Sequence, residues 1–114
     1  MQKENIVKLQ ELLEHDNQDT RKQLRELFKD PLFTPRYNIS LDEERDLALR
    51  RLQKICDHQL ISVLDFKINP HRIFSVHEAV GMMDGSTATK MTVQFNLFGG
   101  TILKLGTQNT TIYY

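Results

Sequence analysis

Apolar residues recur every three or four positions along most of this chain, which is the spacing of one face of an α-helix. The first such stretch is residues 3–14, where Ile6, Leu9 and Leu13 share a face and Leu12 lies beside it. The charged residues of this stretch fall elsewhere on the cylinder. The pattern therefore predicts an amphipathic helix that turns one side toward a core.

A second helix is predicted after a break at residues 16–18. Asp19 can cap it by accepting hydrogen bonds from its first N–H groups. Its predicted inward side is Leu24, Leu27 and Phe28. Its four basic residues are predicted to face water: Arg21, Lys22, Arg25 and Lys29. Because the chain has no net charge, we interpret them as a solvated face and not as a nucleic-acid site.

A proline-containing loop, residues 30–35, ends the second helix because proline lacks an N–H donor. This loop is predicted to place Leu32 and Phe33 on the core. Ser40 then begins a third helix, with Glu43 completing a capping box. Its predicted inward face, before it ends near Asp57, is Leu41, Ala48, Leu52, Ile55 and Cys56.

Residues 60–66 are apolar and β-branched enough to resemble a strand. An otherwise helical chain offers no partner strand, so we predict a buried loop or a short helical turn. Asn69 and Pro70 indicate the next helix start, with asparagine as N-cap and proline at the first helical position. The apolar residues of that helix are Ile73, Phe74, Val76, Val80 and Met83.

Residues 75–107 hold only two acidic and two basic residues, although the whole chain has fifteen of each. This part of the chain is therefore predicted to be mostly buried. Gly85 is predicted to adopt a left-handed conformation that ends the preceding helix after Asp84. Ser86 is then a suitable N-cap for the following helix.

The helix that follows is apolar on two sides. One stripe consists of Ala88, Met91, Phe95 and Phe98. A second stripe, Val93 and Leu97, lies roughly across the cylinder, because each residue advances by about 100°. A helix with two apolar sides is expected to be packed on both. Gly99 and Gly100 either end this helix or let a neighbour approach closely, and residues 102–105 form a further apolar turn.

These patterns predict an all-α fold, an orthogonal or up-down bundle of about five helices. At 114 residues the chain is one small domain, and its 39% hydrophobic and 26% charged residues are ordinary for a globular protein. Zero net charge argues against nucleic-acid binding. One cysteine, Cys56, allows no internal disulfide, and no apolar run approaches the ~20 residues that span a bilayer.

No catalytic constellation or metal-ligand set is present in the sequence. The four histidines are scattered, with no pair four residues apart on one helix face. Cys56, on an apolar face, is interpreted as a small core residue and not as a nucleophile. The glycines at 99, 100 and 106 lack both the spacing and the preceding βαβ unit of a dinucleotide-binding fingerprint.

Several short motifs follow one another in a fixed order. They are Asp30-Pro31-Leu32-Phe33, the helix over 45–52, Glu78-Ala79-Val80-Gly81, Asp84, Lys90-Met91, Val93-Gln94-Phe95, Gly99-Gly100 and Leu105-Gly106-Thr107. In this order, over roughly residues 18–107, the chain resembles the N-terminal helical region of the peroxisomal acyl-coenzyme A oxidases. These enzymes are the peroxisomal branch of the acyl-CoA dehydrogenase superfamily, and the predicted bundle resembles their N-terminal domain.

The resemblance implies FAD-dependent oxidation of an acyl-CoA to a trans-2-enoyl-CoA in fatty acid β-oxidation, with oxygen reduced to hydrogen peroxide. In that family the flavin contacts and the catalytic glutamate lie outside this region, so we expect this chain alone to bind no FAD and to be inactive. The family helix that matches the second stripe lines the acyl-chain cavity. Thr89, Val93 and Leu97 are therefore candidates for acyl-chain contact, although ordinary core packing accounts for the same pattern.

The family pattern stops after Thr107. We therefore expect a helical domain over residues 1–107 and a non-family tail over 108–114, as in a fragment of a longer enzyme. The resemblance implies a peroxisomal location, but the last three residues are not a Ser-Lys-Leu type signal, so a cytoplasmic location stays open.

Two further functions stay open. The chain could be a non-catalytic helical module that docks on a partner helix or on an oxidase subunit. It could also be a small acyl-chain-binding protein. Neither a nucleic-acid partner nor a membrane span is expected.

Overall fold

The computed structural model describes residues 2–109, and every regular element in that range is helical. The helices are α1 (Gln2–Leu13), α2 (Gln18–Leu27), α3 (Leu41–Asp57), α4 (Asp65–Ile68), α5 (Pro70–Met83), α6 (Gly85–Thr92) and α7 (Gly100–Leu105). A 3-10 turn occupies Pro31–Phe33, and a π-helical segment, Val93–Gly99, joins α6 to α7. The predicted all-α fold is confirmed. Most of the predicted tail, residues 110–114, lies outside the described residues, so the domain boundary stays a prediction.

The last three elements form one continuous helix, residues 85–105, which we call the C-terminal helix. Both glycines at its π-to-α junction have ordinary right-handed helical angles, and the Gly100 N–H donates to the carbonyls of Phe95 and Leu97. The prediction that Gly99 and Gly100 end the helix is therefore wrong. Their lower helix propensity costs about 1 kcal/mol each. Gly99 is buried, whereas a Cβ on Gly100 would make only ordinary contacts, 3.8 Å from the Phe95 carbonyl oxygen and 4.0 Å from the Phe66 ring.

The chain breaks between α5 and α6 at Asp84, whose backbone is extended (φ −158°, ψ 115°). The Asp84 carboxylate caps α6 by accepting from the N–H groups of Ser86 and Thr87. The predicted left-handed Gly85 and the predicted Ser86 cap are both wrong. Because the extended backbone of Asp84 already ends α5, no left-handed glycine is needed at this turn.

The core lies where α6 packs on α3 and α5, and where α2 packs on α5. The buried cluster is Leu24, Leu27, Phe33, Leu52, Ile55, Leu60, Ile61, Ile73, Val76, Val80 and Met91. The described chain measures 55 × 38 × 18 Å. Since packed helices lie about 8–10 Å apart, its thickness holds about two helix layers. A core this thin leaves several apolar faces open.

The third helix begins as predicted. Ser40 Oγ accepts from the Glu43 N–H at 3.3 Å, and Glu43 Oε2 accepts from the Ser40 N–H at 2.9 Å. Leu41, however, is 60% exposed and Cys56 is also exposed, so their predicted burial is wrong. Leu47, in the middle of α3, is buried instead.

Arg21 of α2 is buried, although its charge predicted a solvent-facing position. Its Nη1 donates to Glu78 Oε2 at 2.9 Å and its Nη2 to Asp16 Oδ1 at 3.1 Å. These carboxylates compensate the desolvated guanidinium. The predicted cap is also displaced, because Asn17, in a left-handed conformation (φ 49°), precedes α2 where Asp19 was expected.

Residues 60–66 are the predicted buried loop and short helical turn: residues 60–64 form a loop in which Leu60, Ile61 and Val63 are buried, and Asp65 begins α4. Pro70 is the first residue of α5 as predicted, and Asn69 is its N-cap residue. The Asn69 side chain does not bond the α5 backbone, because its Nδ2 donates to Asn17 Oδ1 at 2.8 Å. Phe74 of α5 is 67% exposed and lies off the core.

The apolar side of α1 does not face the core. Ile6, Leu9 and Leu13 are 63, 55 and 63% exposed, and α1 has no buried residue. The predicted helix is confirmed, but its predicted inward packing is wrong for the described residues. The apolar pattern indicates a face that packs against another surface, and no element of the described chain packs against it.

Candidate functional site

An apolar cleft of about 950 Å³ opens between the end of α3, residues 59–64 and the C-terminal helix. We call it the apolar cleft. Its apolar walls include Leu52, Ile61, Val63, Phe95, Ile102 and Leu103. Its neutral polar side chains are Gln59, Ser62 and Gln94. Among residues 2–109, no charged side chain lines it, so it suits an apolar guest.

An ion pair between the buried Asp65 and the partly exposed Arg72 holds the loop that forms one wall of the cleft. Asp65 is 3% exposed, its Oδ2 accepts from the Ser62 N–H at 2.9 Å, and its Oδ1 accepts from Arg72 Nη1 at 3.2 Å. The opposite wall is the π-helical segment and α7. Gly99 lies in that wall.

The structure places the three candidates for acyl-chain contact on a different side of the C-terminal helix. Val93 and Leu97 are 46 and 62% exposed, and neither lines the apolar cleft. Thr89 is exposed, and its Oγ1 donates to the Gly85 carbonyl at 2.9 Å. Among the described residues only the side with Met91 is buried, so this chain supplies one of the two layers expected around the helix, and cover for the side with Val93 and Leu97 stays a prediction.

Two polar clusters inside the fold are saturated with hydrogen bonds. The Ser75 hydroxyl, with help from Asn17 and Arg21, holds the pKa of Asp16 well below its ordinary value. Burial raises the pKa of Asp84, but hydrogen bonds from Thr87 and other donors outweigh it, so this pKa is also lowered. Both carboxylates stay ionised at neutral pH and offer no proton, so they are structural and not general acids.

Cys56 is an exposed thiol that lines the apolar cleft. Partial desolvation of the sulfur by the surrounding side chains and the nearby charge of Asp57 raise the pKa of the thiol. A raised pKa lowers the thiolate fraction, so the structure gives this cysteine no nucleophilic activation.

The histidines do not assemble a site. Nδ1 of His58 lies 2.8 Å from the Lys54 carbonyl, and Nδ1 of His77 lies 2.8 Å from the Ile73 carbonyl. Within residues 2–109 no three histidine, cysteine or acidic side chains are grouped closely enough to hold a metal ion. Over the same range, no helix combines the length and apolar character that crossing a bilayer requires.

The described residues do not fit a flavin cofactor. A dinucleotide pyrophosphate is usually held by free N–H groups of a glycine-rich turn and by a helix N-terminus. Here Gly99 and Gly100 lie inside a continuous helix whose N–H groups already donate to helix carbonyls. The apolar cleft also offers no basic side chain to a phosphate.

Comparison with known proteins found two partial similarities. The chain is 34% identical over 71 residues, 61% of its length, to acyl-coenzyme A oxidase 2, peroxisomal, of Arabidopsis thaliana. It is 29% identical over 89 residues, 76% of its length, to peroxisomal acyl-coenzyme A oxidase 3 of Homo sapiens. The aligned segments are 10 and 13% of those two proteins.

No family model and no solved structure matches the chain. The sequence resemblance is thus supported by two oxidases from distant organisms, each over a short segment. The chain is distantly similar to part of the peroxisomal acyl-CoA oxidases.

Proposed function

We propose that this chain corresponds to the N-terminal helical region of a peroxisomal acyl-CoA oxidase and contributes one wall of its acyl-chain cavity. The partial similarity to two such oxidases and the all-α fold support this proposal. The observation that carries it is the exposed apolar stripe of Val93 and Leu97 on a helix whose opposite side is anchored in the core.

The physical case depends on the difference between the two sides of the C-terminal helix. Met91 is fully buried, so the helix is held firmly from one side. Val93 and Leu97 project from the other side, one helical turn apart and with no charged residue between them. Covering them with an aliphatic chain is favourable by roughly 25 cal/mol per Å² of apolar surface removed from water. Thr89 extends the stripe by one further turn.

We assign Thr89, Val93 and Leu97 a role in binding the acyl chain and no role in its oxidation. In an acyl-CoA oxidase, bound FAD supplies the oxidation of the acyl Cα–Cβ bond. The described residues do not fit a flavin, and the Asp16 and Asp84 carboxylates are held as structural anions. We therefore assign the chain acyl-chain contact, a peroxisomal setting, and no turnover by itself.

Photolabelling tests the acyl-chain contact. An acyl-CoA with a diazirine in its chain is irradiated with the purified protein, and the labelled peptide is identified by mass spectrometry. We expect label on Val93 and Leu97, and we expect Leu97→Asp to remove most of it. Leu49→Asp is the matched control, because Leu49 is also exposed (43%) but lies on α3. Label confined to other regions, or unaffected by Leu97→Asp, would refute the assignment.

A second experiment tests whether the chain alone lacks oxidase activity. The protein is incubated with FAD and palmitoyl-CoA, and hydrogen peroxide and protein-bound flavin are measured. We expect neither above a no-protein control. Measurable peroxide that depends on both protein and substrate would contradict the non-catalytic assignment.

A further inference from the structure

Residues 34–40 join the 3-10 turn to α3 and belong to no helix. Residues 34–38 are all exposed, and Tyr37 is 82% exposed. Thr34, which begins this segment, has an extended backbone (φ −61°, ψ 128°). The N–H groups of residues 36–39 make no backbone hydrogen bond within residues 2–109. An enzyme can therefore bind this segment in an extended groove, as an added strand, without unfolding a helix.

The backbone of Thr34 is fixed on the folded chain. Its N–H donates to the Pro31 carbonyl at 3.1 Å, and its carbonyl accepts from Arg51 Nη2 at 2.8 Å. Arg51 is itself buried, so it anchors this carbonyl to α3. The exposed threonine is thus presented by the folded protein in one conformation.

The Thr34 hydroxyl is available for reaction. It makes no hydrogen bond within residues 2–109. The exposed hydroxyls of Thr89 and Thr101 differ in this respect, since they donate to helix carbonyls at 2.9 and 2.6 Å. Those two residues also lie inside the C-terminal helix, where the backbone cannot enter an extended groove.

Pro35 gives Thr34 a further distinction. No other serine or threonine of the sequence is followed by proline. Proline has no N–H group, so it leaves nothing unpaired in a groove that lacks an acceptor at this position. Any other residue there would bury an unsatisfied N–H, which is costly. A groove of this kind selects proline by rejecting the alternatives.

We propose that Thr34 is the phosphorylation site of a proline-directed protein kinase. The Thr34 Oγ1 attacks the γ-phosphorus of ATP, the bond from that phosphorus to the bridging oxygen breaks, and ADP leaves. The hydroxyl proton passes to a base of the kinase. The product carries a charge of about −2 on a residue whose carbonyl contacts Arg51.

Phosphate incorporation tests the site. The full chain is incubated with ATP and a purified proline-directed kinase of the mitogen-activated class, and the modified residue is identified by mass spectrometry. We expect phosphate on Thr34. Pro35→Ala keeps the hydroxyl and is expected to lower the initial rate about tenfold or more. Pro70→Ala is the matched control, because Pro70 follows an asparagine, and it should leave the rate unchanged.

Two substitutions at residue 34 complete this comparison. Thr34→Ser retains a hydroxyl in the same place and is expected to be phosphorylated. Thr34→Ala is expected to remove the uptake of phosphate. Circular dichroism confirms that each variant is folded.

A second measurement shows whether the kinase acts on the folded chain. Met91→Ala should raise the unfolded fraction about 30-fold or more without changing residues 34–38. Because this segment is already exposed in the folded protein, the initial rate should equal that of the wild type. Ile73→Val, a milder change in the core, gives the same comparison if Met91→Ala does not fold.

Three results would overturn the proposal. One is phosphate on other residues while Thr34 stays unmodified, or no phosphate at all. Another is a rate that Pro35→Ala leaves unchanged. The third is a rate that rises with the unfolded fraction, since Thr34 would then be modified only in unfolded molecules.

Discussion

Arg51 Nη1 donates a hydrogen bond to Asp84 Oδ2 across 3.1 Å, which joins the middle of α3 to the residue that caps α6. The Arg51 side chain is 6% exposed, and it also donates to the carbonyls of Leu32 and Thr34 at 2.8 Å each. Asp84 in turn accepts from the Thr87 N–H. One buried ion pair therefore holds α3, the loop after α2 and the C-terminal helix together.

Asp84→Ala is predicted to lower the free energy of unfolding by about 3–5 kcal/mol, because it leaves a buried arginine without its counter-charge. Loss of the helix cap is part of this effect. Urea denaturation measures it. Asp46→Ala is the control, because Asp46 pairs with Arg50 at the surface (2.7 Å), where a pair contributes at most about 1 kcal/mol. Equal decreases in the free energy of unfolding in the two variants would show that the buried pair contributes no more to stability than the surface pair does.

The hydrogen bond from Ser75 to Asp16 predicts acid sensitivity. It contributes most to holding the pKa of Asp16 below its unfolded value of about 3.9. The unfolded chain therefore binds more protons in acid, so this stabilisation is complete above about pH 5 and is lost as the pH falls below about 4. The free energy of unfolding should decrease over that range.

Ser75→Ala should show a shallower decrease, because its Asp16 pKa lies nearer the unfolded value. Urea denaturation between about pH 2 and pH 6 measures both slopes. Ser86→Ala is the control, since the Ser86 hydroxyl bonds the exposed Glu44 and should leave the slope unchanged. An unchanged slope in Ser75→Ala would refute the assignment.

The two sides of the C-terminal helix should differ in their effect on stability. Met91 is fully buried, so Met91→Ala is predicted to cost about 2–5 kcal/mol. Leu97 is 62% exposed, so Leu97→Ala should change stability by no more than about 0.5 kcal/mol. Urea denaturation at low protein concentration compares them. A large loss for Leu97→Ala would mean that the proposed acyl-chain wall is already covered.

Signals that act between near neighbours were enough to predict part of this fold. The Ser40 and Glu43 capping box and the Pro70 helix start depend only on residues three or fewer positions away. The burial of Arg21 and Arg51 could not be predicted in this way. Arg21 pairs with nearby Asp16, but its second carboxylate partner, Glu78, lies 57 residues away, and Asp84 lies 33 residues from Arg51. Nothing in the local sequence identifies these two distant partners.

The apolar cleft depends on the π-helical segment, which hydrophobic periodicity cannot predict. Assigning faces at about 100° per residue assumes an α-helix throughout. Residues 93–99 form wider π-helical turns, which change the side that each later residue faces. Phe98, placed in the buried stripe by the pattern, is 54% exposed, while Ile102 lines the apolar cleft.

Gly85, at the start of the C-terminal helix, and Gly106, just after its end, should respond to alanine in opposite ways. Gly85 has ordinary helical geometry, and a Cβ there meets no atom within 4 Å. Gly85→Ala should therefore stabilise the fold by about 0.4–1 kcal/mol, chiefly by restricting the unfolded chain. At Gly106 a Cβ would lie 2.5 Å from the Ile102 carbonyl oxygen, which accepts the Gly106 N–H at 2.8 Å.

Gly106→Ala must shift the end of α7 and weaken that hydrogen bond, so it should lower the free energy of unfolding by about 1 kcal/mol or more. Thermal denaturation of both variants shows whether each substitution raises or lowers the stability of the fold. Hydrogen exchange at residue 106 should be faster in Gly106→Ala and unchanged in Gly85→Ala. If both substitutions stabilise the protein, the chain after α7 does not turn where this structure places it, because only that turn brings the Ile102 carbonyl against residue 106.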